Sequence, residues 1–316
     1  MSIKHPIIAI TGSSGAGTTT TRDAFGDIFR REGINAAFVE GDSFFRYNRS
    51  EMQKAIQSSI VAGNPISHFG PDANLFDKLE MLFNEYGEKG VGQIRRYIKD
   101  REQLVDYEQA TGEFTPWESL PKESDLLFYE GMHGGVVAST WTRRRMSPSH
   151  NPKVVRDRRQ GRQNNGVDVA QHVDLLVGVV PSVNLEWIQK IHRDCGKKGC
   201  TVESVTATIL RRMKDYVSFI TPQFSLTDIN FQRVPLVDTS NPFIARDIPT
   251  LDESMVVIRF REPKKHDFPY LMRNIDGAFM SRPNTMVVPG GKMDHAMEIT
   301  CTPIIREMMD KKRKLK

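Results

Sequence analysis

No run of about eighteen apolar residues, the length needed for a membrane-crossing helix, occurs in the chain, so no span is expected. The opening MSIKHPIIAI is apolar over too few residues for a secretion signal, and a glycine-rich loop follows at once. Cysteine is scarce: Cys195, Cys200 and Cys301 are the three in 316 residues. That scarcity excludes a disulfide scaffold and points to a reducing, cytoplasmic compartment. Cys195 and Cys200 lack a second ligand pair, so they read as free thiols and not as zinc ligands. No internal repeat is present. A uniformly basic surface is lacking too, despite a net charge of +5. Residues 140–166 carry eight Arg or Lys against one Asp, and the tail KKRKLK (311–316) adds five more positive charges. These two stretches hold +12, leaving the rest of the chain at −7. The basicity is local, and a broad nucleic-acid footprint is not implied.

What is present reads as an α/β protein. PIIAIT (6–11) is a short apolar run ending in glycines, as a buried parallel strand does. TTTTRDAFGDIFRREG (18–33) places Phe25, Ile28 and Phe29 at helical spacing, with Gly33 as its stop. NAAFVEGD (35–42) is the next strand, and the strand–helix–strand order favours a parallel sheet. Further strands are expected at 125–131, 172–181, 233–239, 255–261 and 284–290, and helices at 184–194 and 202–220. Segment 140–166 is rich in Arg, Asn, Gln, Ser and Pro without apolar period, as in a disordered surface insertion. It separates two strand signals, so the chain is expected to be a single domain over 1–316.

Residues 12–19, GSSGAGTT, space Gly12 and Gly17 as a phosphate-binding loop does, with Thr19 two places on. Thr18 stands where such a loop usually has Lys. Glycines let backbone N–H groups converge on phosphate oxygens, and the next helix adds its N-terminal dipole. ATP contacts are therefore expected from Gly12, Ser13, Ser14, Gly15, Ala16, Gly17, Thr18, Thr19 and Thr20, with the Thr19 hydroxyl on Mg²⁺. The plainer alternative is a glycine-rich strand-to-helix turn. Asp42 and Glu130 end two predicted strands, where ligands of open α/β sheets sit. Phosphoryl transfer needs a proton acceptor and a carboxylate near the metal, and Asp42 suits the first role and Glu130 the second. Either could instead cap a helix or sit solvated in a turn. In WIQKIHRD, Lys190, Arg193 and Asp194 share one helical face. That is either an intrahelical ion pair on a solvated face or a replacement for the missing loop cation, stabilising charge on the transferred group.

Together, TGSSGAGTTT, EGDSF-x-RYNR, SHFGPDAN, LFYEGMHG, VPSVNLEWIQKIHRD, TPQFS, DINFQRVP, VDTSNPFIAR and SRPNTMVVPGGKMD resemble phosphoribulokinase of the proteobacterial type, a branch of the P-loop kinases related to uridine kinase. The resemblance covers nearly the whole chain except 140–166. It implies a P-loop kinase fold, a mixed and mostly parallel sheet flanked by helices, in a homo-oligomer that is commonly an octamer. It implies a Calvin-cycle reaction: ATP phosphorylates ribulose 5-phosphate at its 1-hydroxyl, with Mg²⁺, giving ribulose 1,5-bisphosphate and ADP. Asp42 is then the base. Glu130 and Asp194 join Thr19 in metal binding, and Lys190 and Arg193 serve phosphoryl transfer. Arg49, Phe45 and Lys198 fall on the sugar-phosphate site. Arg31, Arg259 and Arg282 fall on the positions tied to activation by NADH and inhibition by AMP.

The chain departs from that pattern in three places. Phe45 replaces a His that helps bind the sugar phosphate. Lys198 replaces an Arg and cannot make its bidentate fork. The 140–166 insertion is extra. Ala16 stands where plant-type enzymes carry a redox Cys, which excludes thiol control through that loop. Two alternatives stay open: a kinase of this build with another phosphorylated sugar or a nucleoside as acceptor, and a catalytically silent nucleotide-sensing scaffold. Asp42, Glu130, Lys190, Arg193 and Asp194 weigh against the second. RNA or DNA contact through 140–166 is disfavoured, since Trp141 alone interleaves its arginines.

Overall fold

A computed structural model of the chain describes residues 2–12, 18–99, 109–137, 167–244 and 247–315, apart from the side chains of residues 18–20, 197 and 198. Ser13, Ser14, Gly15, Ala16, Gly17 and the 140–166 insertion lie outside the described residues, as do the side chains of Thr18, Thr19, Thr20 and Lys198. In chain order the elements are β1 (Ile7–Gly12), α1 (Thr18–Glu32), β2 (Ala36–Glu40), α2 (Arg49–Val61), α3 (Phe76–Lys89), β3 (Gln93–Ile94), β4 (Glu118–Ser119) and β5 (Leu126–Gly131). Then follow β6 (Leu175–Pro181), α4 (Val183–Lys198), α5 (Val202–Asp215), β7 (Ile229–Pro235), β8 (Ser254–Phe260), α6 (Phe268–Asn274), β9 (Phe279–Arg282), β10 (Thr285–Pro289) and α7 (Met293–Arg313).

Eight strands form a mixed, mostly parallel sheet in the order β2-β5-β1-β6-β7-β8-β10-β9, as expected, and β3 pairs separately with β4. The β2–β5 and β6–β7 ladders are parallel, while β8 pairs antiparallel with both β7 and β10. Every residue of β1 and β6 is buried, which is why both read as unbroken apolar runs. No helix among the described residues is long and apolar enough to cross a membrane.

By packing, the chain divides into two compact units. The first comprises Met1–Ala9, Asn35–Asp174 and Arg211–Leu226. Its α3 carries Phe76, Leu79, Leu82, Phe83 and Tyr86 as one buried helical stripe and stops at Gly90, whose φ of 70° favours glycine. Helix α2 starts on a capping box: the Asn48 side chain accepts from the Glu51 N–H and the Glu51 carboxylate from the Asn48 N–H, each at 2.9 Å. Gln223 knots this unit together, donating to the Met132 and Phe219 carbonyls while accepting from the Gly135 N–H.

The second unit comprises Ile10–Ile34, Leu175–Leu210 and Thr227–Lys316. Here α1 and α7 are clasped by Arg306, which donates to both Glu32 oxygens at 2.7 Å, and by Arg31, which reaches Glu298 at 3.3 Å. The basic residues Lys311, Lys312 and Arg313 form the last turn of α7, where positive charge suits the helix dipole.

Four boundaries differ from those expected. The strand expected over 233–239 is β7 at Ile229–Pro235, because Ile229 and Phe231 are the residues sunk in the core, while Leu236 and Val237 face out. The strand expected over 172–181 starts at Leu175, after a 3₁₀ turn over Val169–His172. The helix expected over 202–220 is α-helical to Asp215 and continues as one π turn over Tyr216–Ile220. The strand expected over 35–42 ends at Glu40, and Asp42 sits in the 3₁₀ turn Gly41–Phe44 that follows.

Candidate active site

The first unit gathers its candidate residues where β2 and β5 end side by side. Their parallel register sets Glu40 opposite Glu130, so two strand-end carboxylates are neighbours. The chains then approach more closely than side chains allow. A Cβ on Gly41 would lie 2.5 Å from the Tyr129 hydroxyl and 3.0 Å from the Gly131 Cα. Glycine at both positions is what lets Tyr129 fill the space under the turn. Burial pushes the Tyr129 phenol pKa up, so it stays neutral in the working range.

On this footing stands Asp42. Burial raises its pKa, the nearby Lys99 ammonium pulls it back down, and Glu40 pushes it up again. Lys99 bridges the two carboxylates, with Nζ 3.0 Å from Glu40 Oε2 and 3.1 Å from Asp42 Oδ2. Burial alone would lower the Lys99 pKa, but Asp42 and Glu40 together outweigh it and the ammonium is held charged. Lys99 escaped the sequence reading because it belongs to no motif; only the folding of 93–99 against the 40–45 turn reveals it.

Phe45 follows in the same turn. Its ring meets His68 edge-on at 5.2 Å and Tyr97 at 5.9 Å, and Tyr97 continues to Phe114 at 5.2 Å. Arg49 is the first residue of α2, where its N–H donates to the Gly112 carbonyl and its guanidinium to the Lys99 carbonyl at 3.1 Å. Asp42, Phe45, Arg49 and Lys99 are thus linked through one local network. His133, in the LFYEGMHG string, is part of the core: its imidazole donates to the Phe69 carbonyl, and burial lowers its pKa to about 4.

In the second unit, Gly12 closes β1 and α1 begins at Thr18, bracketing the glycine loop. Helix α4 buries Leu185, Ile188 and Ile191 and turns Lys190, Arg193 and Asp194 to a common side, as the spacing required. The Lys190 ammonium bonds Asp194 Oδ2, and Arg193 Nε reaches Asp194 Oδ1 at 3.3 Å. Asp194 is 7% exposed, so these cations compensate a nearly buried charge. Cys195, Cys200 and Cys301 are free thiols, as expected, and burial pushes Cys301 up to about 12. Arg259 of β8 and Arg282 of β9 both register on Thr285 of β10, so the two arginines lie two strands apart in one row of the sheet. Arg31 is occupied at the α1–α7 contact, bonding Glu298 and, at 3.5 Å, Thr302.

A mostly parallel sheet whose β1 strand ends at Gly12 just before α1, strand-end carboxylates and a cationic helix face are features of a P-loop phosphotransferase. The phosphoribulokinase / uridine kinase family matches residues 7–148 and 152–240, and the chain belongs to that family. It is 52% identical over 313 residues to a probable phosphoribulokinase of Escherichia coli strain K12, covering 99% of both chains. It is 50% identical to a phosphoribulokinase of Sinorhizobium medicae over 315 residues, the whole of each. Among solved structures, phosphoribulokinase from Rhodobacter spheroides superposes with a TM-score of 0.84 at 49% identity, over 99% of this chain and 100% of the other.

The glycine contact gives a test. Gly41→Ala should destabilise the protein by about 1–3 kcal/mol, the usual range for overpacking. Adding Tyr129→Phe, which deletes the oxygen lying nearest to the new methyl, should recover part of the loss in denaturant unfolding. A Gly41→Ala protein as stable as the native one would show that the turn can shift freely.

Proposed function

We propose that this chain is an ATP-dependent kinase that phosphorylates ribulose 5-phosphate at its 1-hydroxyl, giving ribulose 1,5-bisphosphate and ADP, a Calvin-cycle reaction. The carrying observation is the end-to-end identity of about half the residues with phosphoribulokinases. In this reading the Asp42 carboxylate takes the proton of the 1-hydroxyl as its oxygen bonds the γ-phosphorus and the bond to ADP breaks. The backbone and hydroxyls of residues 12–20 cradle the ATP phosphates, and Lys190 and Arg193 offset charge on the transferred group in place of the loop lysine. Oxygen donors at Glu130, Asp194 and Thr19 suit Mg²⁺, which is held by one or two carboxylates together with substrate phosphates. Bound there, the ion would neutralise phosphate charge. Arg49, Phe45 and Lys198 border the sugar phosphate. Three unpaired thiols fit a reducing, cytoplasmic setting.

Asp42→Asn should lower turnover by about two to four powers of ten with the KM for ATP little changed. Because burial raises Asp42, activity should fall on the acid side at a pH above the ordinary aspartate value. Lys99→Met removes the counter-charge and should move that acid limb higher still, whereas Lys99→Arg should leave it in place. An Asp42→Asn enzyme turning over at the native rate would remove the assignment.

Phe45 favours a weak grip on the sugar phosphate, since a phenyl ring donates no hydrogen bond and here packs against His68 and Tyr97. Each lost charge-assisted contact costs roughly ten- to a hundred-fold in affinity. Phe45→His, alone or with Lys198→Arg, should therefore lower the KM for ribulose 5-phosphate more than it changes kcat. Flat kinetics, with another sugar phosphate or a nucleoside turned over far better in an ADP-release panel, would point to a different acceptor.

Control by NADH and AMP is proposed at Arg31, Arg259 and Arg282 in a homo-octamer. The shared row of Arg259 and Arg282 supports an anion site, since paired guanidinium groups suit phosphates. Arg259→Ala should abolish NADH activation and leave basal turnover, with the octamer read by sedimentation. Native protein that neither binds nor responds to NADH would end this part of the reading.

A further inference from the structure

Arg95 lies just after β3, outside every motif that the function uses, yet its side chain is committed to the turn that carries Asp42. Its Nε donates to the Ser43 carbonyl at 3.0 Å and its Nη2 donates to the Phe45 carbonyl. One rigid fork thus spans the two carbonyls on either side of Phe44. The guanidinium is itself sandwiched: it sits 3.6 Å from the Phe114 ring centroid and 4.8 Å from that of Trp117. Trp117 also packs against Phe44, at 5.9 Å, so the residue enclosed by the fork is held from the side by the same indole. Phe44 itself is buried, 2% exposed. Such an arrangement is costly to build. Partial burial strips water from a charge, and the two backbone acceptors with the two aromatic faces are what compensate.

The expense is out of proportion to holding a surface turn. The 3₁₀ turn Gly41–Phe44 has its own bond from the Phe45 N–H to the Asp42 carbonyl at 3.2 Å and leaves its other carbonyls to outside partners. Arg95 takes that of Ser43 and, just past the turn, the carbonyl of Phe45. The orientation of the Asp42 side chain is then set by a backbone braced from one side by Arg95 and from the other by the close approach of Gly41 to Gly131.

We propose that Arg95 is a positioning residue for phosphoryl transfer, fixing the Asp42–Phe45 turn so that the carboxylate and the acceptor-side ring keep one relative placement. The inference rests on the reading of Asp42 as the base. Lysine cannot replace Arg95, because an ammonium is a point charge and lacks the planar fork that reaches both carbonyls.

The test measures kcat and both KM values for Arg95→Ala, Arg95→Lys, Asp42→Asn and the Arg95→Ala/Asp42→Asn double variant, each corrected for folded fraction by circular dichroism. Displacing a reacting group by about 1 Å costs on the order of a hundred-fold. Arg95→Ala and Arg95→Lys should therefore lose about ten- to a hundred-fold in kcat, with a raised KM for the sugar phosphate and an unchanged KM for ATP. Guanidinium ion at millimolar concentration should restore part of the Arg95→Ala rate, and ammonium should not. In the Asp42→Asn background, Arg95→Ala should cost little more, since a base that is absent needs no positioning. Multiplicative losses in the double variant, or a native kcat per folded molecule in both single Arg95 variants, would overturn the proposal. If Asp42→Asn itself turned over normally, the base reading would fall instead, and the two failures would be told apart by that one protein.

Discussion

The site in the first unit depends on a single close approach, the contact of two glycines at the ends of paired strands. Gly41 and Gly131 leave no room for a methyl group between β2, β5 and the Tyr129 hydroxyl. Because the backbones close in there, the chain leaves β2 at once and folds into a 3₁₀ turn in place of continuing along the sheet. Asp42 is therefore presented from a tight turn and not from a strand. Everything else in that network follows: Lys99 can span Glu40 and Asp42, Arg95 can grip the carbonyls of Ser43 and Phe45, and Phe45 is turned into the aromatic row of His68, Tyr97 and Phe114.

The electrostatics of the network are a balance of opposed terms. Burial favours a neutral Asp42, and Glu40 two residues away adds to that pressure, while Lys99, itself held charged by the two carboxylates, pulls the other way. In the second unit the arrangement is reversed, with two cations on α4 converging on one nearly buried Asp194. Each cluster pairs an excess of one sign with a minority charge of the other. A phosphate or a metal ion arriving at either cluster would compete for these partners.

The sheet was legible in the sequence wherever burial is complete. β1 and β6 are buried at every residue, and a run such as LLVGVV reads as a covered strand. Legibility failed where local composition and burial part company. VPLVDT looks like a strand, yet the pairing with β6 draws in Ile229 and Phe231 and leaves Leu236 outside. Helix α7, with Pro303 in its interior, was not among the expected helices. At the site, Lys190, Arg193 and Asp194 were readable because helical periodicity places them together without help from the rest of the chain. Lys99 and Arg95 were not, because the turn residues they hold lie fifty or more residues back and nothing in RRYIKD announces them. Motifs record residues that share an element, while cross-element partners become visible only in three dimensions.

The clasp between α1 and α7 also bears on how the protein comes into being. Its bonds join residues 267 and 274 positions apart. Helix α1 thus docks against a segment made much later than itself. On a ribosome working at about 5–20 residues per second, that partner arrives tens of seconds after α1 itself. Until then the ion pairs that hold α1 to α7 cannot form. The first unit needs chain only as far as Leu226, well before α7. The α1–α7 clasp is therefore a late event of folding, since it waits for a segment 267 or more positions along the chain from its partner.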